Sequence, residues 1–217
     1  MSDHADPEPI LAAMTTEHFV MQSAIGTSVN EQQARASMYL YAVSGALVAT
    51  SFMAQSQHLL LFLAAVLPVL FLAGILTILR LVDIGMESLQ SHVTIARIRG
   101  FYRSLGRAAK VHFDKAHGRW PDGKTDPGHI VGPLLGLMTT AASMIACVNA
   151  FVGAAMLALL LVNVLKVGLA ISIVAGGLFA LAHVAACYIY QDRRIALVVK
   201  FAKDAGVAID ETGKGAS

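Results

Sequence analysis

Apolar residues are gathered into runs that are each long enough to cross a membrane as a helix. A bilayer-spanning helix needs about 20 predominantly apolar residues, and short polar breaks divide the chain into four such stretches. The predicted spans are 37–55, 59–82 and the two parts of 130–190 on either side of a reversal at 163–168. The pattern predicts an all-α integral membrane protein with four transmembrane helices arranged as two hairpins.

The segments outside these runs carry helical patterns of their own. Residues 7–25 predict a mildly amphipathic helix that is interrupted at Gly26. Ser28 and Glu31 have capping-box spacing, which predicts that a new helix begins there and enters the membrane. The predicted organisation is a cytoplasmic amphipathic segment 1–35, a first transmembrane hairpin 36–82, a cytoplasmic basic helix and loop 83–129, a second hairpin 130–190 and a cytoplasmic tail 191–217.

A helical extension is predicted to follow the second span. Apolar and small residues recur there at spacings of three and four, which is typical of packing against a partner helix. Turn residues crowd 117–128 and predict a loop. Pro133 predicts the start of a third-span helix of roughly thirty residues, and a polar tail is predicted after Tyr190. The recurring positions of the extension are Ile84, Ser88, Ser91, Ile95, Ile98, Tyr102, Leu105 and Ala109.

The distribution of charge predicts the orientation of the spans. Mean hydropathy is +0.65, and only 14% of the 217 residues are charged, against about a quarter in soluble domains. Of the 16 Lys and Arg residues, nine lie from Arg80, at the end of the second span, to Lys124, and five follow the last span, while the two short turns hold none and one. The positive-inside rule therefore predicts cytoplasmic N- and C-termini. Because 1–30 has no secretory-signal pattern, we expect the first span to be an uncleaved anchor.

Several functional classes are disfavoured by what the sequence lacks. All 14 Asp and Glu residues lie outside the predicted spans, whereas proton-coupled transporters usually place a carboxylate within the membrane. No phosphate-binding glycine loop, HExxH, GxSxG or nucleic-acid motif is present. We therefore expect no enzymatic activity, no cofactor and no nucleic-acid partner. Cys147 and Cys187 lie in apolar runs and are predicted to be packing residues rather than a disulfide.

The first span carries a polar row on one helix face. Small hydroxyl residues allow helices to approach closely, which favours a packing surface. The same groups can line a hydrated path, because they replace the hydration of water or a small ion. Both interpretations stay open for this row, which consists of Ser37, Tyr41, Ser44, Val48, Ser51 and Gln55.

Small residues form rows on the third and fourth spans, and we expect these two faces to meet. His183 is predicted to be a neutral buried side chain that bonds to Asn149 or to a carbonyl, rather than a haem or metal ligand, because no second mid-membrane His exists. The third-span row is Gly132, Gly136, Thr140, Ser143, Cys147, Ala150 and Ala154, and the fourth-span row is Gly176, Ala180, His183 and Cys187.

Basic residues of the extension are candidates for binding anionic lipid headgroups, although the topology rule alone would also explain them. The nearby His112, Asp114 and His117 have metal-capable side chains, but their spacing matches neither a zinc finger nor a helical ligand pair, so no metal site is predicted. The headgroup candidates are Arg97, Arg99, Arg103, Arg107 and Lys110.

Two N-terminal stretches, EHFVMQ at 17–22 and RASMYL at 35–40, together with Val48 and Ala49, resemble a family of uncharacterised bacterial membrane proteins with paired hairpins. The long helix outside a short hairpin is more distantly similar to small membrane effectors of bacterial antiphage systems. The resemblance covers about the first fifty residues. It implies a multi-pass protein of the bacterial inner membrane, and no activity or functional residue.

Two functions are consistent with these patterns. One is an oligomeric, channel- or pore-like membrane protein whose first span lines a path. The other is a non-catalytic scaffold or accessory subunit of a larger membrane complex. The expected partners are the lipid bilayer and either further copies of the chain or other membrane subunits.

Overall fold

Five helices make up the described part of the chain. The computed structural model describes residues 7–107, 109 and 133–204. No strand occurs among these residues, and four of their helices are each long and apolar enough to cross a membrane. The predicted all-α architecture with four candidate membrane spans is therefore confirmed. The helices are α1 (Pro7–Met53), α2 (Leu59–Ser104), α3 (Pro133–Met138), α4 (Ala141–Asn163) and α5 (Leu169–Asp204).

The uncharged stretches of the four long helices have matching lengths. They cover 36–53, 59–79, 141–163 and 169–191, or 18 to 23 residues each. At a rise of 1.5 Å per residue this is about 27–35 Å, which matches a hydrocarbon core of about 30 Å. We call the end with the loops 54–58 and 164–168 the loop end. We call the opposite end the charged end, because the first charged residues of the helices lie there: Arg35, Arg80 and Asp192.

α1 is one uninterrupted helix of 47 residues. The predicted break at Gly26 and the predicted helix start at Ser28 are therefore wrong. Glu31 does not cap a helix, because its carboxylate accepts hydrogen bonds from Arg35 and from Arg80 of α2. A glycine inside a helix costs only about 1 kcal/mol relative to alanine, and the packing of α1 on α2 offsets this cost.

The N-terminal part of α1 packs along the extension of α2. Its buried and half-buried positions recur every 3.5 residues, which is the period of helices that wind around each other with a left-handed twist. The hydroxyls of Thr15 and Tyr102 are 3.4 Å apart, and Gln32 donates to the Leu81 carbonyl. Ile10, near the start of the helix, is exposed. The inward positions are Leu11, Met14, His18, Met21, Ile25, Ser28 and Gln32.

α2 continues without a break from the membrane span into the predicted extension, and Pro68 lies inside it. Ile84, Ile95 and Ile98 of the predicted recurring row are buried, so its packing role is confirmed for these positions. Leu105 is exposed, because the helix has ended at Ser104.

The predicted thirty-residue helix of the third span is wrong, because Thr139 and Thr140 separate α3 from α4. Thr140 adopts an extended conformation, and its hydroxyl accepts a hydrogen bond from the Ser143 amide, as an N-cap does. Threonine side chains compete with the helical ladder in this way. The small-residue row of the third span is consequently divided between two helices.

Residues 191–204, at the start of the predicted polar tail, continue α5 as far as Asp204. Gln191 and Val198 are buried, and the Arg194 guanidinium contacts the Asp83 carboxylate of α2 at 2.6 Å. These contacts with neighbouring helices explain why the helix persists beyond the membrane span. Residues 205–217 lie outside the described part of the chain.

The main apolar core lies toward the charged end of the bundle. α1, α2 and α4 all contribute to it, and alanines on α4 let the helices approach closely. Its buried members are Tyr39, Ile78, Leu81, Val82, Ala142, Ile145 and Ala146.

Candidate functional site

The polar row of the first span lies on the outer surface of the bundle. Tyr41 is 75% exposed, and the side chains of Ser44, Val48 and Ser51 are also exposed. Ser37 is half-buried, and Gln55 is exposed in the turn after α1. Four of these residues therefore sit on the outside of a helix whose span is otherwise apolar.

The core-facing residues of α1 explain this outward orientation. Tyr39 belongs to the apolar core, and Ala36 and Val43 pack against it. At 3.6 residues per turn, Tyr39 lies on nearly the opposite side of α1 from the middle of the polar row. Packing of the first span on α2 and α4 thus turns the row away from the rest of the chain.

The row offers hydroxyl groups without fixed charge. Ser51 Oγ donates a 3.0 Å hydrogen bond to the Leu47 carbonyl of its own helix. A hydroxyl that donates in this way keeps lone pairs that can accept hydrogen bonds from a neighbour. Chemically, the row can bind water or hydrogen-bond to another helix.

A buried hydrogen-bond network connects three of the long helices. Tyr39 of α1 donates to Asn149 Oδ1 of α4 at 2.9 Å, and Asn149 Nδ2 lies 3.5 Å from His183 Nε2 of α5. The Asn149 residue is 0% exposed. The predicted contact between Asn149 and His183 is therefore present. The sequence analysis did not identify Tyr39, although a tyrosine hydroxyl usually has a hydrogen-bond partner when it is buried.

Gly74 of α2 completes this network by leaving room for it. A Cβ atom at this position would overlap the Asn149 side chain and would lie 2.8 Å from the Tyr39 hydroxyl. Tyr39, Gly74, Asn149 and His183 each lie 14 or 15 residues from the loop end of their helices, which is about 21–23 Å. The network therefore lies about two-thirds of the way through the bundle toward the charged end.

His183 is surrounded by aromatic rings and a thiol. Its ring stacks on Phe179 and lies at a tilt against Phe71, and Cys187 Sγ is 3.7 Å from Nε2. Cys147 is exposed on α4. Among the described residues, no group of three or more His, Cys, Asp or Glu could hold a metal ion.

The small residues of α4 and α5 meet at one close contact. A Cβ at Gly176 would lie 2.9 Å from the Ala154 carbonyl oxygen, so glycine is what lets the two helices come this near. Gly136 is buried, Ala180 is half-buried, and Gly132 lies outside the described residues. The two faces therefore meet at Gly176 and Ala154.

A second polar cluster lies at the N-terminus of α4, near the charged end. Gln191 donates to Ser143 Oγ at 3.1 Å and accepts from the Thr140 hydroxyl at 2.9 Å. Ser143 in turn donates to the Leu137 carbonyl. Gln191 is only 4% exposed, and sequence inspection missed it because it was assigned to the tail.

Ion pairs join the helices at the charged end. Arg80 of α2 contacts Glu31 of α1 at 3.1 Å and Glu87 of its own helix at 3.0 Å. Hydrogen bonds from Arg80, and then from Arg35, lower the pKa of the Glu31 carboxyl below its ordinary value. The charged side chains just outside the span are therefore joined to one another by ion pairs.

Three of the predicted headgroup-binding arginines lie far along the α2 extension, and Arg107 lies beyond its end at Ser104. Arg97 follows Arg80 by 17 residues and Arg103 by 23, which corresponds to about 25 and 35 Å along a straight helix. Arg97 and Arg107 are exposed, whereas Arg99 and Arg103 are half-buried. Lys110, the fifth candidate, lies outside the described residues.

No protein-family model, curated protein or solved structure matches this chain. A functional proposal therefore rests on three features of the structure: the polar row of α1, the buried network and the charged end.

Proposed function

We propose that this protein is a homo-oligomeric, pore-like protein of the bacterial inner membrane, built from two transmembrane hairpins with both termini in the cytoplasm. Copies meet through the outward face of α1, and the hydroxyls of its polar row line a hydrated path between them. The kinship with bacterial paired-hairpin proteins and, more distantly, with antiphage membrane effectors belongs to the same proposal.

The observation that carries this proposal is the exposure of the polar row within an apolar span. Tyr41, Ser44 and Ser51 are exposed on the single chain. Lipid tails offer no hydrogen-bond partner, and polar side chains in membrane helices generally face a bundle interior or a water-filled cavity. A second copy or a hydrated path at this face would supply such surroundings, whereas the interior of the single bundle is filled by packed side chains such as Asn149 and Ile145.

A flux measurement tests the path directly. Purified protein in liposomes should release potassium or chloride, and the double change of Ser44 and Ser51 to Leu should reduce the flux at least about tenfold, because it removes the hydroxyls that replace hydration. Ala42→Leu is the matched control: it adds the same side chain to an exposed position on another side of α1, and we expect it to leave the flux unchanged. A wild-type leak that survives the double change would place the path elsewhere.

The second candidate is a non-conducting scaffold or accessory subunit. It is favoured by the internal bond of Ser51 to Leu47 and by a similar bond of Thr50 to the Ala46 carbonyl, because hydroxyls that are satisfied within their helix also suit close helix packing. An oligomer in nanodiscs that passes no potassium, sodium or chloride would favour this candidate over the pore. A monomer under all conditions would contradict the homo-oligomer itself.

A further inference from the structure

A groove opens between α2 and α5 at the charged end of the bundle. It has a volume of about 190 Å³ and is lined by Met86, Gln90, Arg194, Leu197 and Val198. Three of these side chains are apolar, while the other two contribute an amide and a guanidinium. Such a lining suits a ligand that has both an anionic group and a partly apolar, hydroxyl-bearing body.

Arg194 has hydrogen-bonding capacity that the surrounding protein does not use. Its Nη2 atom donates to Asp83 Oδ1, but its Nε atom is buried and has no acceptor within the described part of the chain. The Arg194 side chain as a whole is 40% exposed, so an anionic oxygen can reach its other N–H groups, and guanidinium groups bind phosphate well because their N–H groups form a planar fork.

The level of the groove in the bundle identifies the source of such an anion. Arg194 lies two residues beyond Asp192, the first charge of α5, which is about 3 Å along the helix. The headgroup layer on each side of a bilayer is about 5–7 Å thick, so Arg194 lies at the level of lipid phosphates. Gln90 is ten residues, or about 15 Å, beyond Arg80. The groove thus extends from the phosphate level toward the water.

We infer that this groove binds the headgroup of an anionic glycerophospholipid. The phosphate contacts Arg194, and the hydroxyl-bearing part of the headgroup lies in the groove near Gln90, while the acyl chains stay in the bilayer. Anionic lipids are abundant in the cytoplasmic leaflet, which is where the proposed topology puts the charged end. The inference rests on that topology, and it does not require an oligomer or a path.

Lipid-dependent stability tests the site. The full-length protein is placed in nanodiscs of phosphatidylcholine, with or without phosphatidylglycerol of the same acyl chains, and unfolding is followed by circular dichroism. Phosphatidylglycerol should raise the Tm of the wild type by several degrees, because a ligand that binds the folded state stabilises it. Arg194→Gln should remove most of this shift. Arg193→Gln, which deletes an equal charge from an exposed neighbour, should retain it.

Two further variants separate lipid binding from the ion pair. Asp83→Asn removes the partner of Arg194 but leaves the guanidinium, and the phosphatidylglycerol shift should persist. Leu197→Trp fills the groove without changing charge, and the shift should shrink. In native mass spectrometry, Arg194→Gln should retain phosphatidylglycerol at least about tenfold more weakly, as expected for loss of a charged hydrogen bond.

Several results would overturn the inference. Equal losses in the Arg193 and Arg194 variants would indicate general surface attraction, and loss in Asp83→Asn would indicate that the ion pair alone is responsible. An equal shift from soluble glycerol 3-phosphate in phosphatidylcholine nanodiscs would assign the groove to a free phosphate ester instead of a lipid. Because each measurement is made on unfolding or lipid retention, a failure to detect oligomers or flux would contradict the proposed pore and leave this test intact.

Discussion

Asn149 connects three helices through one side chain. Its amide oxygen accepts from Tyr39 of α1, its amide nitrogen lies against His183 of α5, and Gly74 of α2 provides the space beside it. A buried amide is costly when unpaired and specific in geometry when paired. We expect this network to fix the relative rotation of the four spans.

Removing the hydroxyl of Tyr39 should weaken the bundle measurably. In Tyr39→Phe the ring still fills the core, but Asn149 Oδ1 loses its donor, so we expect a loss of about 0.5–2 kcal/mol. Thermal unfolding in detergent measures this loss. Tyr41→Phe makes the same chemical change on the exposed face of α1 and should change the stability of the single bundle by less than about 0.5 kcal/mol. Equal effects in the two variants would argue against the network.

The space at Gly74 should tolerate no added methyl group. Gly74→Ala brings a Cβ into overlap with Asn149, and overpacking of this kind typically costs about 1–3 kcal/mol. Gly45→Ala is the control, because a Cβ there meets nothing within 4 Å in the described structure and alanine favours the helix by about 1 kcal/mol. The melting temperatures should therefore move in opposite directions.

The sequence predicts some of these residues and not others, for physical reasons. Asn149 and His183 are conspicuous because an amide and an imidazole are rare in apolar spans. Tyr39 is less conspicuous, because the regular polar row contains Tyr41, which is two residues away on the other side of α1. Gly74 cannot be distinguished by periodicity, since its role depends on which side chain of another helix faces it.

Helices α4 and α5 approach each other closely at Gly176. Gly176→Ala would place a Cβ 2.9 Å from a backbone carbonyl that cannot move independently of α4. We expect the helices to separate locally and the stability to fall by about 1–3 kcal/mol. The adjacent Gly177 has no described heavy atom within 4 Å of its Cβ position, so Gly177→Ala should be neutral or slightly stabilising in the same unfolding assay. Similar losses in both variants would contradict this packing.

The contact between α1 and α2 should weaken in acid. The pKa of Glu31 lies below its ordinary value of 4.5, so its stabilising contribution is complete above pH 4.5 and is lost as the pH falls through the lowered pKa. Hydrogen exchange of residues 7–35, corrected for the intrinsic rate, should therefore increase over this range. Glu31→Gln should remove the response, whereas Glu17→Gln, an exposed change on the same helix, should preserve it. An unchanged response in Glu31→Gln would assign the effect to other carboxylates.

Helix existence is predictable from the sequence, and helix boundaries are less so. Apolar runs locate all four candidate spans, because a continuous apolar segment of this length satisfies all its own backbone groups in lipid as a helix. Gly26 and the capping pattern suggest a break that packing against α2 overrides. Thr140 produces a break that the continuous apolar run conceals, and Gln191 extends α5 because it has partners on other segments of the chain.

The orientation of the whole molecule can be tested with reporter fusions. The charge distribution predicts that fusions after Ser217 and at Lys124 report the cytoplasm, and that a fusion at Gln57 reports the opposite side. Alkaline phosphatase and a fluorescent protein used in parallel provide complementary signals. A periplasmic signal from the fusion after Ser217, with the Lys124 fusion still cytoplasmic, would require an odd number of crossings between them and would contradict the four-span topology.

The unbroken length of α1 has a mechanical consequence. Residues 7–34 extend about 42 Å beyond the membrane, and residues 36–53 extend about 27 Å within it. A helix without a break behaves as a stiff rod, and Arg35, the residue between these two parts, is taken as the pivot. A tilt of about 10° would move the outer tip by roughly 7 Å and the buried tip by roughly 5 Å in the opposite direction. A force applied to the N-terminal half of α1 would therefore displace Ser51 mechanically, without a chemical signal between the two sites.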